Sequence, residues 1–335
     1  MNVPGIHALI VMGVAGITAA SPTFAQIPKF KEVPVPRSTE SPPGMRVVKP
    51  QPDDYVAEYT PNVEYVRRGD LALRLQILAP RGGPPRLPGS AQPEPPPLKR
   101  PLVVFVQGSG WGPQNLYSAI PQLSDVAHHG YVVASVEYRP STVAIAPAQI
   151  QDVKTAIRYM RANAARYGID PQRVAIWGDS SGGHMAALVA TTVGVAEFAT
   201  SDYADQSDAV QAVIDFYGVS DLTTLGRFPS WLEHDAEGSP GSLMLGGSAL
   251  THRDKALAHS PVTYITADRK LPPFLLFHGD RDVIVPFDQS VVLYDALRAA
   301  GKHVVFYKVE DGNHGWQFWS PRLMQIVVGF LDETL

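Results

Sequence analysis

Gly178-Asp179-Ser180-Ser181-Gly182 places a serine between two glycines, each two residues away. An apolar run, Arg173 to Trp177, comes before it, and a helix-forming stretch, Ser181 to Thr192, follows at once. A serine on so tight a strand-to-helix turn is held in strained backbone with its hydroxyl exposed above the carboxyl edge of a sheet. Bulky neighbours there would clash with strand and helix. The N–H of Ser181 opens the helix and points into the same space, where it can stabilise an oxyanion. Of the two adjacent serines only Ser180 has the flanking glycines, so Ser180 is the candidate nucleophile and Ser181 a backbone donor.

A serine hydroxyl attacks poorly near neutral pH unless a base takes its proton, and the base needs a carboxylate to orient it. His314 lies in Asp311-Gly312-Asn313-His314-Gly315, just after the apolar run Val304 to Val309. Loops at the carboxyl ends of strands are where reactive side chains collect. His278-Gly279-Asp280-Arg281-Asp282 follows Phe274 to Phe277 in the same manner. Asp282 precedes Val283-Ile284-Val285 and can turn inward, which favours it over Asp280 as the acid. Asp280, beside Arg281 in the turn, is given a structural role, as is His278.

The second oxyanion donor is expected from Gln107-Gly108-Ser109-Gly110-Trp111, after Leu102 to Val106. Small residues let backbone N–H groups approach a substrate closely, which makes Ser109 and Gly110 the candidates. Trp111 and Trp316 directly follow site loops and are candidates to line the cavity; Trp231 and Trp319 read as core or rim. His184, early in the nucleophile helix, reads as a packed, hydrogen-bonded residue. His128-His129 are adjacent and do not share a helix face, so no metal site is expected.

Alternating elements must hold these loops. The strand candidates are Asn62 to Arg67, Leu71 to Leu78, Leu102 to Val106, Tyr131 to Val136, Arg173 to Trp177, Val210 to Phe216, Phe274 to Phe277 and Val304 to Val309. The helix candidates are Leu116 to His129, Ala148 to Tyr167, Ser181 to Thr192, Asp288 to Ala300 and Pro321 to Leu331, the last with Ser320 as N-cap and Pro321 at its first position. Gly69-Asp70 reads as a hairpin turn. Inner strands apolar on both faces, alternating with helices, argue for an α/β architecture: a mostly parallel central sheet covered by helices on both faces. Residues 79–101 form a Pro-rich loop between strands. Residues 218–263 break the rhythm, and a small cap or substrate loop is expected there.

Composition narrows the function. The chain has 335 residues, a net charge of −4, 45% hydrophobic residues and no cysteine. The absence of cysteine excludes disulfides, thiolate metal sites and a cysteine nucleophile. With no Lys/Arg-dense stripe, nucleic acid is not an expected partner. Ile6 to Ala20 is apolar, and Thr23-Phe24-Ala25 supplies small residues at −3 and −1 of a cleavage site before Gln26, so residues 1–25 read as a signal peptide cleaved after Ala25. The run falls short of the ~20 residues that span a bilayer, so no stable membrane span is expected after processing, and a periplasmic or secreted protein is. Residues 26–60 read as a Pro-rich extended leader and 61–335 as the folded domain.

Val136-Glu137-Tyr138-Arg139, Pro147-Ala148 with Asp152, Tyr167-Gly168-Ile169-Asp170-Pro171 and the turn Gly178 to Gly183 together resemble the α/β-hydrolases of the hormone-sensitive-lipase and bifunctional feruloyl/acetyl-xylan esterase type. His234-Asp235-Ala236, Ser239-Pro240 and Leu245-Gly246-Gly247 are similar to a segment met in the latter group. The resemblance runs over roughly residues 60–333. Where these families show His-Gly-Gly-Gly, this chain has Gln107 and Ser109 in the first and third places. The resemblance implies an α/β-hydrolase fold and hydrolysis of small acyl esters through an acyl-serine. Acetyl groups on plant polysaccharide or related glycosides are among the expected substrates, with no cofactor and no metal. An amidase or peptidase of the same fold, and a catalytically silent binding protein on this scaffold, are the rival readings.

Overall fold

The computed structural model describes residues 38–48, 55–82 and 99–335. The segment read as a signal peptide lies outside the described residues, as do most of the leader and most of the Pro-rich loop. Residues 38–47 fall in a unit of their own, irregular apart from a turn at Pro43-Gly44; the body considered below belongs to the second unit, which spans residues 48–85 and 93–335.

Eight strands build that body: β1 (Tyr55–Arg68), β2 (Leu71–Gly82), β3 (Arg100–Val106), β4 (Val132–Val136), β5 (Ile169–Asp179), β6 (Ala212–Phe216), β7 (Phe274–Gly279) and β8 (Val304–Val309). Their order is β1-β2-β4-β3-β5-β6-β7-β8. The β1/β2 hairpin turns at Gly69-Asp70 and joins β4 antiparallel, and every pairing beyond that is parallel. The helices are α1 (Ile120–His128), α2 (Ala148–Ala162), α3 (Ala164–Tyr167), α4 (Ser181–Thr191), α5 (Pro240–Leu245), α6 (Arg253–Ala258), α7 (Asp288–Ala299) and α8 (Pro321–Thr334).

Side chains on an extended strand alternate between faces, and the inner strands are apolar on both. Leu102, Val104 and Val106 of β3, with Val174 and Ile176 of β5, pack among residues of α2, α4 and α7. Val103 and Phe105, with Ala175 and Trp177, pack among residues of α1 and α8. This is the two-sided cover that continuous apolar strands require, and it confirms the α/β-hydrolase fold.

Several boundaries differ from expectation. β1 begins at Tyr55, inside the stretch read as leader, because Tyr55 to Thr60 pair with Ile77 to Gly82. For the same reason β2 runs four residues into the stretch read as loop. Ladder partners are non-local, so proline content nearby does not decide them. Leu116 to Ala119 form turns before α1, which starts at Ile120 with Pro121 in its first turn, where the missing N–H costs nothing. The long helix expected from Ala148 to Tyr167 breaks at Asn163, whose Nδ2 donates to the Tyr159 carbonyl at 2.9 Å and competes with the helical ladder. Ser320 does precede α8, but its hydroxyl makes no capping bond. Residues 218–263 hold α5 and α6. The side chain of Ser239 caps α5 on the Ser242 N–H at 3.2 Å, with Pro240 next and left-handed Gly246 closing the helix. That Ser-Pro…Gly signature is a local helix signal the sequence reading passed over.

Candidate active site

Strain marks the carboxyl edge of the sheet. Ser180, between β5 and α4, has φ 55° and ψ −124°, a conformation that a residue with a Cβ rarely adopts. Trp111, after β3, Tyr217, after β6, and Asp311, after β8, are also left-handed non-glycine residues. Four loops at one edge thus carry backbone strain, the pattern expected where geometry is held for function. The glycines around Ser180 are needed for a different reason. A Cβ at Gly182 would collide with the Val106 carbonyl oxygen, and one at Gly178 with the Gly182 backbone. The turn therefore closes only because both positions lack side chains.

The structure brings the three distant candidates together. Ser180 Oγ lies 2.9 Å from His314 Nε2, and His314 Nδ1 lies 2.7 Å from Asp282 Oδ2. Asp282 is buried, while Asp280 turns away toward Lys308 Nζ at 3.5 Å. Asp282 Oδ1 accepts the N–H groups of Ile284 (2.8 Å) and Val285 (2.9 Å). Burial opposes ionisation of Asp282, but the hydrogen bonds from His278 and His314 outweigh it and hold this carboxyl well below the usual carboxylate range.

The oxyanion candidates separate. Ser109 N–H donates to Ser181 Oγ at 3.0 Å, and Gly108 N–H donates to Asp179 Oδ1 at 2.9 Å. Ser109 is therefore corrected as a free donor: its N–H is engaged by the side chain of the neighbouring serine. Among the described residues the N–H groups of Gly110 and Ser181 have no such partner, and both residues line the cavity over Ser180. That cavity holds about 400 Å³, and Val219, Leu225, Leu232, Ile284 and Val285 are among the residues that line it. Residues 218–263 contribute to it through Val219, Leu225, Leu232, His234, Pro240 and Gly241. Trp111 lines it too, with its Nε1 donating to His184 Nδ1 at 3.0 Å. Trp316 does not: it is 81% exposed and borders an adjoining cavity instead.

The profile of the BD-FAE family matches residues 92–297. The chain belongs to the BD-FAE family. Its curated relatives include esterase LipQ of Mycobacterium tuberculosis, 33% identical over 247 residues, which cover 71% of this chain and 55% of that protein. The isoprenylcysteine alpha-carbonyl methylesterase ICME of Arabidopsis thaliana is 28% identical over 214 residues, 60% of this chain and 47% of the relative. The chain spans about half the length of these curated relatives. Among solved structures, a truncated carbohydrate esterase from gut microbiota superposes with a TM-score of 0.72 at 29% identity, covering 85% of this chain and 99% of that one. Esterase Est2 of the planctomycete Thermogutta terrifontis gives 0.63 at 28% identity, covering 83% of this chain and 90% of that one.

Other residues support the site of this BD-FAE member; the sequence reading gave His278 and His184 structural roles and assigned none to Asn313 or Tyr217. His278 is buried, bonds Ser290 Oγ (2.7 Å) and the Val285 carbonyl (2.9 Å), and brings Nε2 within 3.2 Å of Asp282 Oδ2. Asp282 is thus flanked by two imidazoles. Asn313 Oδ1 accepts the N–H groups of Val283 (3.2 Å) and His314 (2.7 Å), tying the Asp282 loop to the His314 loop. The Tyr217 ring packs 4.5 Å from the His314 ring. Tyr138, within the motif that carried the resemblance, places its hydroxyl 2.8 Å from Ser109 Oγ and donates to the Gln107 carbonyl at 3.1 Å, which fixes the loop after β3. Asp152 of the same motif receives Arg139 Nε at 2.7 Å and Arg68 Nε at 3.2 Å, a structural clamp. His184 is the packed residue expected, its Nε2 2.7 Å from the His259 carbonyl oxygen, and burial pulls its pKa down to about 4. Burial also pushes the Asp179 carboxyl up to about 6, against the hydrogen bond from Gly108 and the nearness of His314. Among the described residues no group of His, Asp and Glu could hold a metal ion, and no helix is long and apolar enough to cross a membrane.

Proposed function

We propose that the protein is a serine carboxylic ester hydrolase that works through an acyl-serine intermediate. The observation that carries this reading is the unbroken relay of Ser180, His314 and Asp282, at 2.9 and 2.7 Å, facing an apolar cavity. As Ser180 Oγ attacks the ester carbonyl, its proton passes to His314 Nε2. Asp282, ionised because its pKa is depressed, accepts the Nδ1–H and stabilises the imidazolium. The carbonyl oxygen, now negative, takes the N–H groups of Gly110 and Ser181. Collapse expels the alcohol oxygen, which takes the proton back from Nε2, and water repeats the sequence to free the acid.

The acyl group sits against Val219, Leu225 and Leu232 in a cavity at the small end of the range for ligand sites. Small acyl esters follow, with acetyl esters of carbohydrates as the substrate class; the structural likeness to a carbohydrate esterase and the family membership support it. Export through the 1–25 segment would place the enzyme where such esters occur. Hydrolysis of p-nitrophenyl acetate by the parent and by Ser180→Ala tests the reaction, with a loss of about 10³-fold or more in kcat expected. Equal rates from the two proteins would refute it. Peptide amides turned over while a panel of acetyl, butyryl, octanoyl and feruloyl esters is left intact would replace it with the amidase reading.

A further inference from the structure

Gly110 supplies one of the two oxyanion donors of the proposed reaction, and the loop after β3 sets the direction of its N–H. That loop is not relaxed. Gly110 has φ 59° and Trp111 φ 57°, so two consecutive residues are left-handed and only one of them is glycine. A residue as bulky as tryptophan rarely adopts this conformation, which persists only where the surroundings hold it. What holds the loop on either side of Gly110 therefore decides where the N–H points.

Both holds come from α4, the helix that begins at the nucleophile. On one side, Ser181 Oγ accepts the Ser109 N–H at 3.0 Å. On the other, Trp111 Nε1 donates to His184 Nδ1 at 3.0 Å, with the ring centroids 5.2 Å apart and the planes at 83°. Residues 181 and 184 are three apart and share a face of the helix. The ring of His184 has only one part to play. Its Nε2 lies 2.7 Å from the His259 carbonyl oxygen, which only accepts, so Nε2 carries the proton. The lone pair is then on Nδ1, facing an indole N–H that only donates. Burial, which pulls the pKa of His184 down to about 4, keeps the ring in this neutral form near pH 7. Trp111, Ser181 and His184 are each at most 3% exposed, so water has no ready access to replace either bond.

We propose that Ser181, through its side chain, and His184 are positioning residues of the reaction: each fixes one neighbour of Gly110, and together they aim its N–H at the ester oxygen. The proposal rests on the serine hydrolase reading and deepens it. Neither side chain takes a proton or holds the substrate. Both act through Gly110, so their loss weakens the hold on the negative oxygen and leaves binding of the neutral ester almost unchanged. Because the same helix starts at Ser180, nucleophile and oxyanion donor keep one register.

The test uses the full-length chain and p-nitrophenyl acetate, with rates expressed per active site titrated by a fluorophosphonate, so that misfolded enzyme drops out. Ser181→Ala and His184→Phe each lower kcat by about tenfold, short of the roughly 10²- to 10³-fold that follows outright loss of a donor. KM stays within about twofold. Inhibition by phenylboronic acid, which forms an anionic tetrahedral adduct on a serine, weakens by the same factor as kcat. Ser181→Thr keeps an Oγ and His184→Asn keeps an acceptor in place of Nδ1, and both recover most of the loss. Trp111→Phe removes the same bond from its other end, so combining it with His184→Phe costs no more than either alone. It also stands in where His184→Phe does not fold. An unchanged kcat per active site, a rise in KM that matches the fall in kcat, or Ser181→Thr and His184→Asn as impaired as Ser181→Ala and His184→Phe would overturn the proposal. Failure of the underlying reading shows differently, as hydrolysis undiminished in Ser180→Ala.

Discussion

Asp282 shows how a single carboxylate is prepared. One oxygen is saturated by two backbone N–H groups and the other meets His314 and His278, so the charge is held in a buried place without titrating near neutral pH. Its hydrogen-bonding partners compensate the desolvation that alone would favour the neutral acid. On the proposed mechanism, Asp282→Asn keeps the shape but cannot hold His314 as the tautomer that accepts the serine proton. It is expected to lower kcat by about 10³- to 10⁴-fold with KM little changed, measured on p-nitrophenyl acetate with circular dichroism to confirm the fold. A loss below about tenfold would show that Asp282 does not orient the base. At this scale the sequence was informative where chemistry demands a residue type in a fixed chain order. It gave His278 a structural role but not its contact with the acid, because nothing local to His-Gly-Asp-Arg-Asp says that an imidazole four residues upstream of the acid will reach it.

The strand-turn-helix unit from β5 to α4 is where element geometry makes the chemistry available. Ser180 tolerates its left-handed backbone because Gly178 and Gly182 let the turn collapse onto β3, and the Val106 carbonyl oxygen occupies the space that a side chain at 182 would need. Gly182→Ala should therefore destabilise the fold by more than ~3 kcal/mol, the upper range for overpacking a tight site, whereas Gly238→Ala, where no atom lies within 4 Å of the added carbon, should be near neutral. Thermal midpoints and soluble yield of the two variants test this. Comparable stability would show that the turn relaxes easily and that the glycine is not required by sterics. Element boundaries were less legible. Tyr55 to Thr60 carried no strand signal strong enough to set against the surrounding prolines. They become a strand because Ile77 to Gly82 offer a ladder.

Across the whole molecule, burial of charge makes stability depend on pH. Asp215, on β6, is fully enclosed; its Oδ1 accepts the Gly218 N–H at 2.8 Å, its Oδ2 has no partner among the described residues, and burial pushes its pKa up to about 7. A folded carboxyl kept neutral, while the unfolded chain ionises above about pH 4, binds more protons than its unfolded counterpart. This group's contribution is therefore full below about pH 4 and is lost as pH rises to about 7. Asp215→Asn can keep the Gly218 bond and cannot ionise. Its stability relative to the parent should rise across that interval, by ~1.4 kcal/mol for each unit by which the parent's pKa is raised. Any constant penalty from the added amide protons shifts both ends alike, so the slope decides. Parallel unfolding curves in urea from pH 4 to 7.5 would refute it.

Local physics explains what the sequence by itself determined. Strand periodicity and the strand-turn-helix glycines are set within a dozen residues at a time, and together with the chain order of serine, acid and base they marked the α/β sheet, its edge and Ser180, Asp282 and His314. Only the tertiary structure decided that Ser109 gives its N–H to Ser181 and leaves Gly110 and Ser181 facing the cavity, that Trp316 turns toward the adjoining cavity, and that Tyr138 locks the loop after β3. Each of these is a choice of hydrogen-bond or packing partner from residues tens of positions away. A short-range rule fixes which conformations a segment can adopt, but the partner of each donor and the space beside each ring exist only once the distant strands have paired.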